Sequence, residues 1–411
     1  MSSLLAGLSS RARRTIAPGL SLAGLALVAV LTAVAIRTWT PQLVSAAETP
    51  TPGPAESPTP APTSTVVTNP EISVPGTLVY VKDGTLWVQT GTAARPLMAN
   101  PPGSTVSQPT WSSDGQWIYY IDTRVSTGRW YDPDNGNAIG TYVLNVAVLC
   151  RIHPDGLGKE DILSSLIRQG SLRTFYWIKQ PSVSPDGSAV AVISDGPTVP
   201  GVQDPMIHFI SLASRKLGPA LSLPESSPLG LADPAYSPDG KLLAYVEEGR
   251  SGGRGNPSIW LYNIGGRSTR RLVTGYRGPS WSPDGKYLAV TRVSGDALDV
   301  AVIDAGNGRL IAQITHDGLS WAPVWSPAGD ELVYMHMNGA EVDLNMVRID
   351  TSGANMTFRI EPNLTEYSGL DGGSRAAWYI PGVGPAAPTA TSSPVASRSS
   401  TPAVSPIASP S

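Results

Sequence analysis

The chain has 411 residues, 15% of them charged, and its 29 basic and 32 acidic side chains leave a formal charge of -3 and a pI near 5.8. That balance supplies no basic stripe able to displace counterions from a phosphate backbone, so nucleic acid is not an expected partner. The single cysteine, Cys150, forbids an intrachain disulfide, and it lies too far from the N-terminal apolar segment to be a lipidated cysteine behind a signal sequence.

After a short basic stub (residues 1–14), the stretch from Thr15 to Ile36, TIAPGLSLAGLALVAVLTAVAI, carries no charge. At about 1.5 Å per residue it is long enough to cross a hydrocarbon layer of roughly 30 Å. A transmembrane anchor is therefore expected over residues 15–37. Arg11, Arg13 and Arg14 precede it and Arg37 follows, which places the N-terminus in the cytoplasm and the rest outside. The alternative is a cleaved secretory signal, since VSAAE around Ala46 offers small residues for cleavage, but the apolar run exceeds the usual signal core of about 7 to 15 residues. Both readings export the remainder of the chain.

Residues 38–75 and 382–411 are rich in Pro, Thr, Ser and Ala and hold too few apolar side chains to offset the entropy of ordering them. They are expected to be disordered tethers, the first reaching up to roughly 100 Å from the membrane at about 3.1 Å per residue.

Between them one phrase recurs: QPTWSSDGQWIYY from Gln108, QPSVSPDGSAVAV from Gln180, DPAYSPDGKLLAY from Asp233, GPSWSPDGKYLAV from Gly278 and APVWSPAGDELVY from Ala322. The position before the Ser-Pro-Asp-Gly turn is Trp111, Val183, Tyr236, Trp281 and Trp325, and a degraded copy, RAAWYIPG, puts Trp378 at the same phase. The spacings of 72, 53, 45, 44 and 53 residues fit the period of propeller blades carrying insertions. In each unit a short strand ends at the phase residue, Pro presets φ, Asp bonds nearby backbone, Gly accepts a positive φ, and an alternating strand returns. Two further strands, as in Ser258 to Thr274, make four per unit.

The copy at Trp378 stops after its first strand, whereas Thr77 to Met98 reads as second, third and fourth strands with no first. Joined, the two ends make a sixth sheet and close the ring without an unpaired edge. The expected fold is all-β: a six-bladed β-propeller over residues 76–381.

The motif P-x-W-S-P-D-G followed by a short apolar strand resembles the repeat of the TolB-like propellers, the PD40 or WD40-like repeat, shared in looser form by propellers of the prolyl oligopeptidase and tricorn protease groups. The resemblance covers about Thr77 to Pro381 and implies the fold. Within that family TolB itself carries an α/β domain before its propeller, is soluble in the periplasm and works with a peptidoglycan-associated lipoprotein; here a tether is expected where that domain would be.

The repeated turn residues Asp114, Gly115, Asp186, Gly187, Asp239, Gly240, Asp284 and Gly285 are read as structural, because Ala328 takes the aspartate's place in the fifth copy. His153, His208, His316 and His336 have no metal-ligand spacing, and no G-x-S-x-G elbow is present. In YDPDNGN, Asp132 and Asp134 are a weak calcium candidate whose glycine falls out of pattern. No metal, cofactor or catalytic residue is assigned.

If the turns define one face of the ring, the opposite face receives the long connections: Asp122 to Thr141, Ser194 to Pro205, Pro224 to Asp233 and Glu248 to Pro257. Recognition is expected there, with Trp130, Tyr131, Arg250 and Arg254 as binding residues. Because the folded part begins on a second strand and ends on a first, both tethers are expected to leave from the turn face. The function expected is a non-catalytic scaffold, anchored in the membrane and exposed outside the cytoplasm, that binds a protein or cell-wall component as a monomer. The alternative is a carbohydrate-active or hydrolytic enzyme with its site in the central channel.

Overall fold

The second strand of each repeat is apolar at successive positions, not only at alternate ones. In Ala189–Ser194 the residues Val190, Ala191, Val192 and Ile193 are all fully buried, as are Leu288, Ala289 and Val290. The alternating, half-buried pattern expected for these strands is thus corrected. Each lies in a sheet packed on both faces, so odd residues serve one neighbour and even residues the other.

The computed structural model describes residues 65–132, 138–197, 204–223, 230–249, 256–353 and 355–383. In chain order the strands are β1 (Val74–Lys82), β2 (Thr85–Gly91) and β3 (Ala93–Pro96), then β4 (Ser104–Trp111), β5 (Ile118–Asp132), β6 (Ala138–Ile152) and β7 (Glu160–Ser164). A hairpin follows, β8 (Leu166–Gln169) and β9 (Leu172–Phe175), and then β10 (Lys179–Val183), β11 (Ala189–Ser194), β12 (Met206–Ser211) and β13 (Lys216–Ala220). The next sheet is β14 (Leu231–Tyr236), β15 (Leu242–Glu247), β16 (Ser258–Asn263) and β17 (Ser268–Thr274). After it come β18 (Tyr276–Trp281), β19 (Tyr287–Ser294), β20 (Ala297–Asp304) and β21 (Leu310–Gln313). The chain finishes with β22 (Ser320–Trp325), β23 (Glu331–Asn338), β24 (Glu341–Asp350), β25 (Thr357–Asn363) and β26 (Ala377–Tyr379). Five sheets are four consecutive strands each, and the sixth has the order β26-β1-β2-β3. This is the six-bladed propeller expected, closed by both ends of the folded region.

Six buried clusters hold the ring together, one at each junction between blades. Val190 and Val192 pack toward Tyr119 and Ile121 of the blade before, while Ala191 and Ile193 pack toward Leu243 and Tyr245 of the blade after. At the closure Leu78 pairs with Trp378, whose indole Nε1 donates to the Pro75 carbonyl at 2.8 Å. Gly76 (φ 69°) makes this possible, since a Cβ there would lie 2.2 Å from the Tyr379 carbonyl oxygen.

One expectation about the ends is corrected. Paired structure begins before residue 76: Asn69 N donates to the Leu364 carbonyl at 3.0 Å, Thr68 bridges Thr365, and Glu366 N donates to the Val67 carbonyl at 3.0 Å. Val66 and the buried Ile72 pack on the cluster between the fifth and sixth blades. Leu364 N bonds the Leu344 carbonyl near the start of β24, and Lys82, which ends β1, bonds the Ser368 carbonyl. Thr68 Oγ1 also donates to the Thr92 carbonyl at 2.7 Å, so the incoming segment contacts both the fifth and the sixth blade. The outgoing end lies on the turn side, where Tyr379 Oη donates to the Asp114 carbonyl at 3.1 Å. Segment 65–73 was read as tether for its proline and threonine, but Val66 and Ile72 find an interblade groove. Residues 1–64 and 384–411, including the expected anchor, lie outside the described residues; among those described, no helix is long and apolar enough to cross a membrane.

In the turns the Ser hydroxyl donates to the Asp carboxylate at 2.5–2.7 Å in four copies: Ser112 to Asp114, Ser184 to Asp186, Ser237 to Asp239 and Ser282 to Asp284. The same carboxylate accepts the backbone N–H two residues on, as with Lys286 N at 3.1 Å. In the fifth copy Ala328 leaves this position empty, and Asp330 accepts from Ser326 at 3.1 Å instead. For Asp186 the Ser184 hydroxyl holds the carboxyl below its ordinary value. For Asp239 and Asp284 burial pushes the pKa up, but the serine, the backbone N–H and a lysine outweigh it.

A carboxyl depressed in the folded state stabilises above its unfolded value, 3.8, and that stabilisation is lost as pH falls through the lower folded value. The melting temperature should therefore drop on acidification below about pH 4, and a variant carrying Asp186→Asn, Asp239→Asn and Asp284→Asn should show a shallower drop in a calorimetric pH series. Closure is tested by two glycines of like conformation, Gly76 (φ 69°) and Gly285 (φ 71°). Gly285→Ala meets open space and should cost about 1–2 kcal/mol from the left-handed backbone alone, whereas Gly76→Ala should cost clearly more in denaturant unfolding.

Candidate functional site

The innermost strand of five of the six blades is interrupted at the same place. Gln108, Gln180, Asp233, Gly278 and Ala322 each precede a proline and have φ between 50° and 60°, and the strand register slips there. The left-handed conformation turns the N–H out of the ladder, so it needs an acceptor elsewhere. The preceding blade supplies one. Gln108 Oε1 accepts Gln180 N at 2.6 Å, Gln180 Oε1 accepts Asp233 N at 3.1 Å, and Asp233 Oδ2 accepts Gly278 N at 3.2 Å. Gly278 has no side chain to continue the chain of bonds, and Thr291 Oγ1 from β19 takes over, accepting Ala322 N at 3.0 Å. Ser374 Oγ accepts Gln108 N at 2.5 Å, so that five of the six junctions between blades carry such a bond.

Arg375 occupies the corresponding position in the sixth blade. Its side chain reaches past the small Ala322 to the fourth blade, where Nη1 donates to the Pro279 carbonyl at 2.9 Å. The other guanidinium nitrogen lies 2.9 Å from where a Cβ on Gly278 would be. On the turn side of this waist is a cavity of 390 Å³, walled by Trp111, Tyr236, Trp281 and several prolines and floored by Gln108, Gln180, Asp233 and Arg375. Burial pulls the Arg375 pKa below that of an ordinary arginine, opposed by Asp233.

The expected recognition residues are elsewhere, and the structure changes their setting. Asp122 to Thr141 is not an irregular loop. β5 and β6 pair without a break from Ile118↔Ile152 to Asp132↔Ala138, forming a ribbon that runs beyond the blade, with residues 133–137 outside those described. The run Val125, Thr127, Arg129, Tyr131 alternates with β-prone residues as a strand should, a signal that the charged and Gly-containing tip obscured. One face of the ribbon leans on the β8–β9 hairpin, Gly128 meeting Arg173. The other presents Val125, Val143, Tyr131 and Ile139, which are 56%, 58%, 42% and 48% exposed.

Trp130 is half-buried with its ring 5.7 Å from that of Tyr131. Arg250 and Arg254 lie outside the described residues, so the structure does not join them to the ribbon. The root of the ribbon is a buried ionic network instead: Asp122 accepts from Ser104, from Arg124 at 3.0 Å and from Lys159 at 2.9 Å.

Asp134 lies outside the described residues, and among the described residues no group of three potential ligands could hold a metal. His153 stacks on Trp117 at 3.7 Å, His208 Nδ1 meets the Gly218 carbonyl at 2.9 Å, and His336 Nδ1 meets Ser320 Oγ at 3.1 Å. Ser320 is fully buried and also bonds Asp317 at 3.0 Å, so its hydroxyl is not presented to a substrate. What sequence reading missed is the waist itself; the repeated X-Pro pair ahead of each phase residue was the available signal.

Gln180 makes three of the waist contacts, donating also from Nε2 to Asp233 Oδ1 at 2.7 Å. Gln180→Ala leaves the Asp233 N–H without its acceptor and should destabilise the protein by about 1–3 kcal/mol in denaturant unfolding.

Residues 168–360, from the end of the first blade through the fifth, match the PD40 family, described as the TolB beta propeller domain. Among curated proteins none matches the chain. Among solved structures it is similar to TolB from Acinetobacter baumannii, at 19% identity over 74% of this chain and 66% of that one, with a TM-score of 0.49. It is also similar to the periplasmic gluconolactonase PpgL of Pseudomonas aeruginosa, at 16% identity over 69% and 82% of the chains and a TM-score of 0.44. A third likeness is to oligogalacturonate lyase from Vibrio parahaemolyticus, at 14% identity over 67% and 75% and a TM-score of 0.42. The chain thus spans just under two thirds of the Acinetobacter protein, and at these values the structural likenesses carry no functional argument. Residues 168–360 of this chain thus match the TolB beta propeller domain, and the repeats on either side of the matched stretch complete a six-bladed β-propeller.

Proposed function

We propose that the protein is a non-catalytic scaffold that binds a protein or cell-wall component outside the cytoplasm, held to the membrane by residues 15–37. The observation that carries the binding role is the exposed face of the β5–β6 ribbon. Val125, Tyr131, Ile139 and Val143 lie there on paired, ordered backbone, so a partner would meet apolar side chains already fixed in place, at little entropic cost. Thr127, Arg129 and Thr141 lie on the same face and are exposed, supplying polar contacts around the apolar ones.

The channel supports the same reading. Its amides and its carboxylate are engaged in holding backbone N–H groups between blades. Acid–base chemistry on a sugar or ester would require a second titratable group opposed to Asp233, and the cavity floor offers Arg375 in that place. The anchor rests on the uncharged run before Arg37 and the arginines ahead of it.

The test is affinity capture from an envelope extract by residues 65–383, beside a variant carrying Val125→Thr, Tyr131→Thr, Ile139→Thr and Val143→Thr. These changes keep strand propensity and leave buried Leu144 and Asp122 untouched. The variant should melt within a few degrees of the parent and lose at least tenfold in recovery of the captured species. Equal recovery by both proteins would remove the ribbon from the reading.

A further inference from the structure

We propose that the turn-side cavity is a second binding site, independent of the ribbon, that takes a small organic carboxylate, its acid group held by Arg375 and its body against the Trp and Pro walls. The argument starts from the guanidinium. Arg375 is rooted in the sixth blade and spans the waist, yet its one hydrogen bond among the described residues is the Nη1 contact to the Pro279 carbonyl. An arginine has five N–H donors, and one satisfied donor leaves a forked, planar face free for a bidentate acceptor.

The nearest carboxylate does not take that role. Asp233 directs Oδ1 to Gln180 Nε2 at 2.7 Å and Oδ2 to Gly278 N at 3.2 Å, and Arg375 forms no ion pair within 4 Å among the described residues. The guanidinium is enclosed and its charge is penalised by burial, while the residue keeps partial accessibility through the cavity mouth. An enclosed charge whose one nearby carboxylate is bonded elsewhere is only partly compensated, and an entering anion in direct contact removes that cost.

The space and walls select the rest of the ligand. A volume of 390 Å³ suits a small molecule. The indoles of Trp111 and Trp281 have their N–H groups engaged by the inner strand of the preceding blade, at the Ala377 carbonyl (3.3 Å) and the Ala235 carbonyl (3.0 Å), so what they offer the cavity is ring surface. Trp111, Tyr236 and Trp281, with Pro109, Pro181 and Pro279, make a collar that suits a flat ring, whether aromatic or sugar. Asp233 beside the guanidinium disfavours dianions, which would face its negative charge, and so favours a single carboxylate.

The probes are phenylacetate and glucuronate, each paired with its uncharged counterpart, phenylacetamide and glucose, titrated calorimetrically into residues 65–383. At least one acid should saturate in the micromolar to low millimolar range and bind at least tenfold more tightly than its neutral counterpart, and which acid does so separates an aromatic body from a sugar. The binding acid should raise the melting temperature in proportion to the logarithm of its concentration. Arg375→Lys, which keeps the charge but loses the fork, should weaken it by about tenfold, and Arg375→Met should abolish it. The ribbon variant described above should bind the acid unchanged, which keeps failure of one proposal apart from failure of the other. The proposal is overturned if neither acid saturates in the parent protein, or if acid and neutral counterpart bind alike. These two readings need no folded Arg375 variant.

Discussion

The backbone at the waist of the ring is the constraint on which the rest depends. Five innermost strands place a residue of positive φ directly before a proline, and each such residue swings an N–H out of its own sheet. A buried donor without an acceptor costs on the order of 1–3 kcal/mol, so five of them could not be left unmet. The solution runs from blade to blade around five of the six junctions, the preceding blade accepting the next blade's N–H through Gln108, Gln180, Asp233, Thr291 or Ser374. A blade is therefore incomplete in its polar bonding as well as in its apolar packing until its neighbour is present.

The same interdependence explains why the two ends of the folded region meet. A four-stranded sheet buried on both faces cannot be terminal, and an open ring would expose the clusters around Leu78 and Val79 at once. Closure by β26 and β1 joins residues some three hundred positions apart, and segment 65–73 adds a second set of contacts across the same junction, with Val67 N on Ser368 Oγ at 3.2 Å. Unfolding of either end should thus open the whole ring.

Function follows from how the two faces are spent. On the turn side the short, repeated Ser-Pro-Asp-Gly connections leave the mouth of the central cavity uncovered, and the waist makes its floor polar. On the opposite side the first blade extends its middle strands into a ribbon, braced by β8 and β9, that lifts apolar side chains away from the ring. On the two binding roles proposed above, the recessed site and the projecting surface would take their partners without competing for space.

Much of this was legible in the residues themselves. The Ser-Pro-Asp-Gly turns, the spacing of the phase residues and the complementary halves at Thr77 and Trp378 gave blade count and closure, because turn chemistry and strand period are local properties. The extent of the β5–β6 ribbon was only half visible: Val125 to Tyr131 alternates correctly, but whether a strand continues past its blade depends on what supports it, and Arg173 is 45 positions from Gly128. The burial of Val66 and Ile72 in a proline-rich segment, and the reach of Arg375 to Pro279, were not visible at all. Each rests on a groove or a gap made by distant residues, the second by the absence of side-chain bulk at Gly278 and Ala322. Sequence fixed the repeating unit, whereas tertiary structure decided where its charges and its ends come to lie.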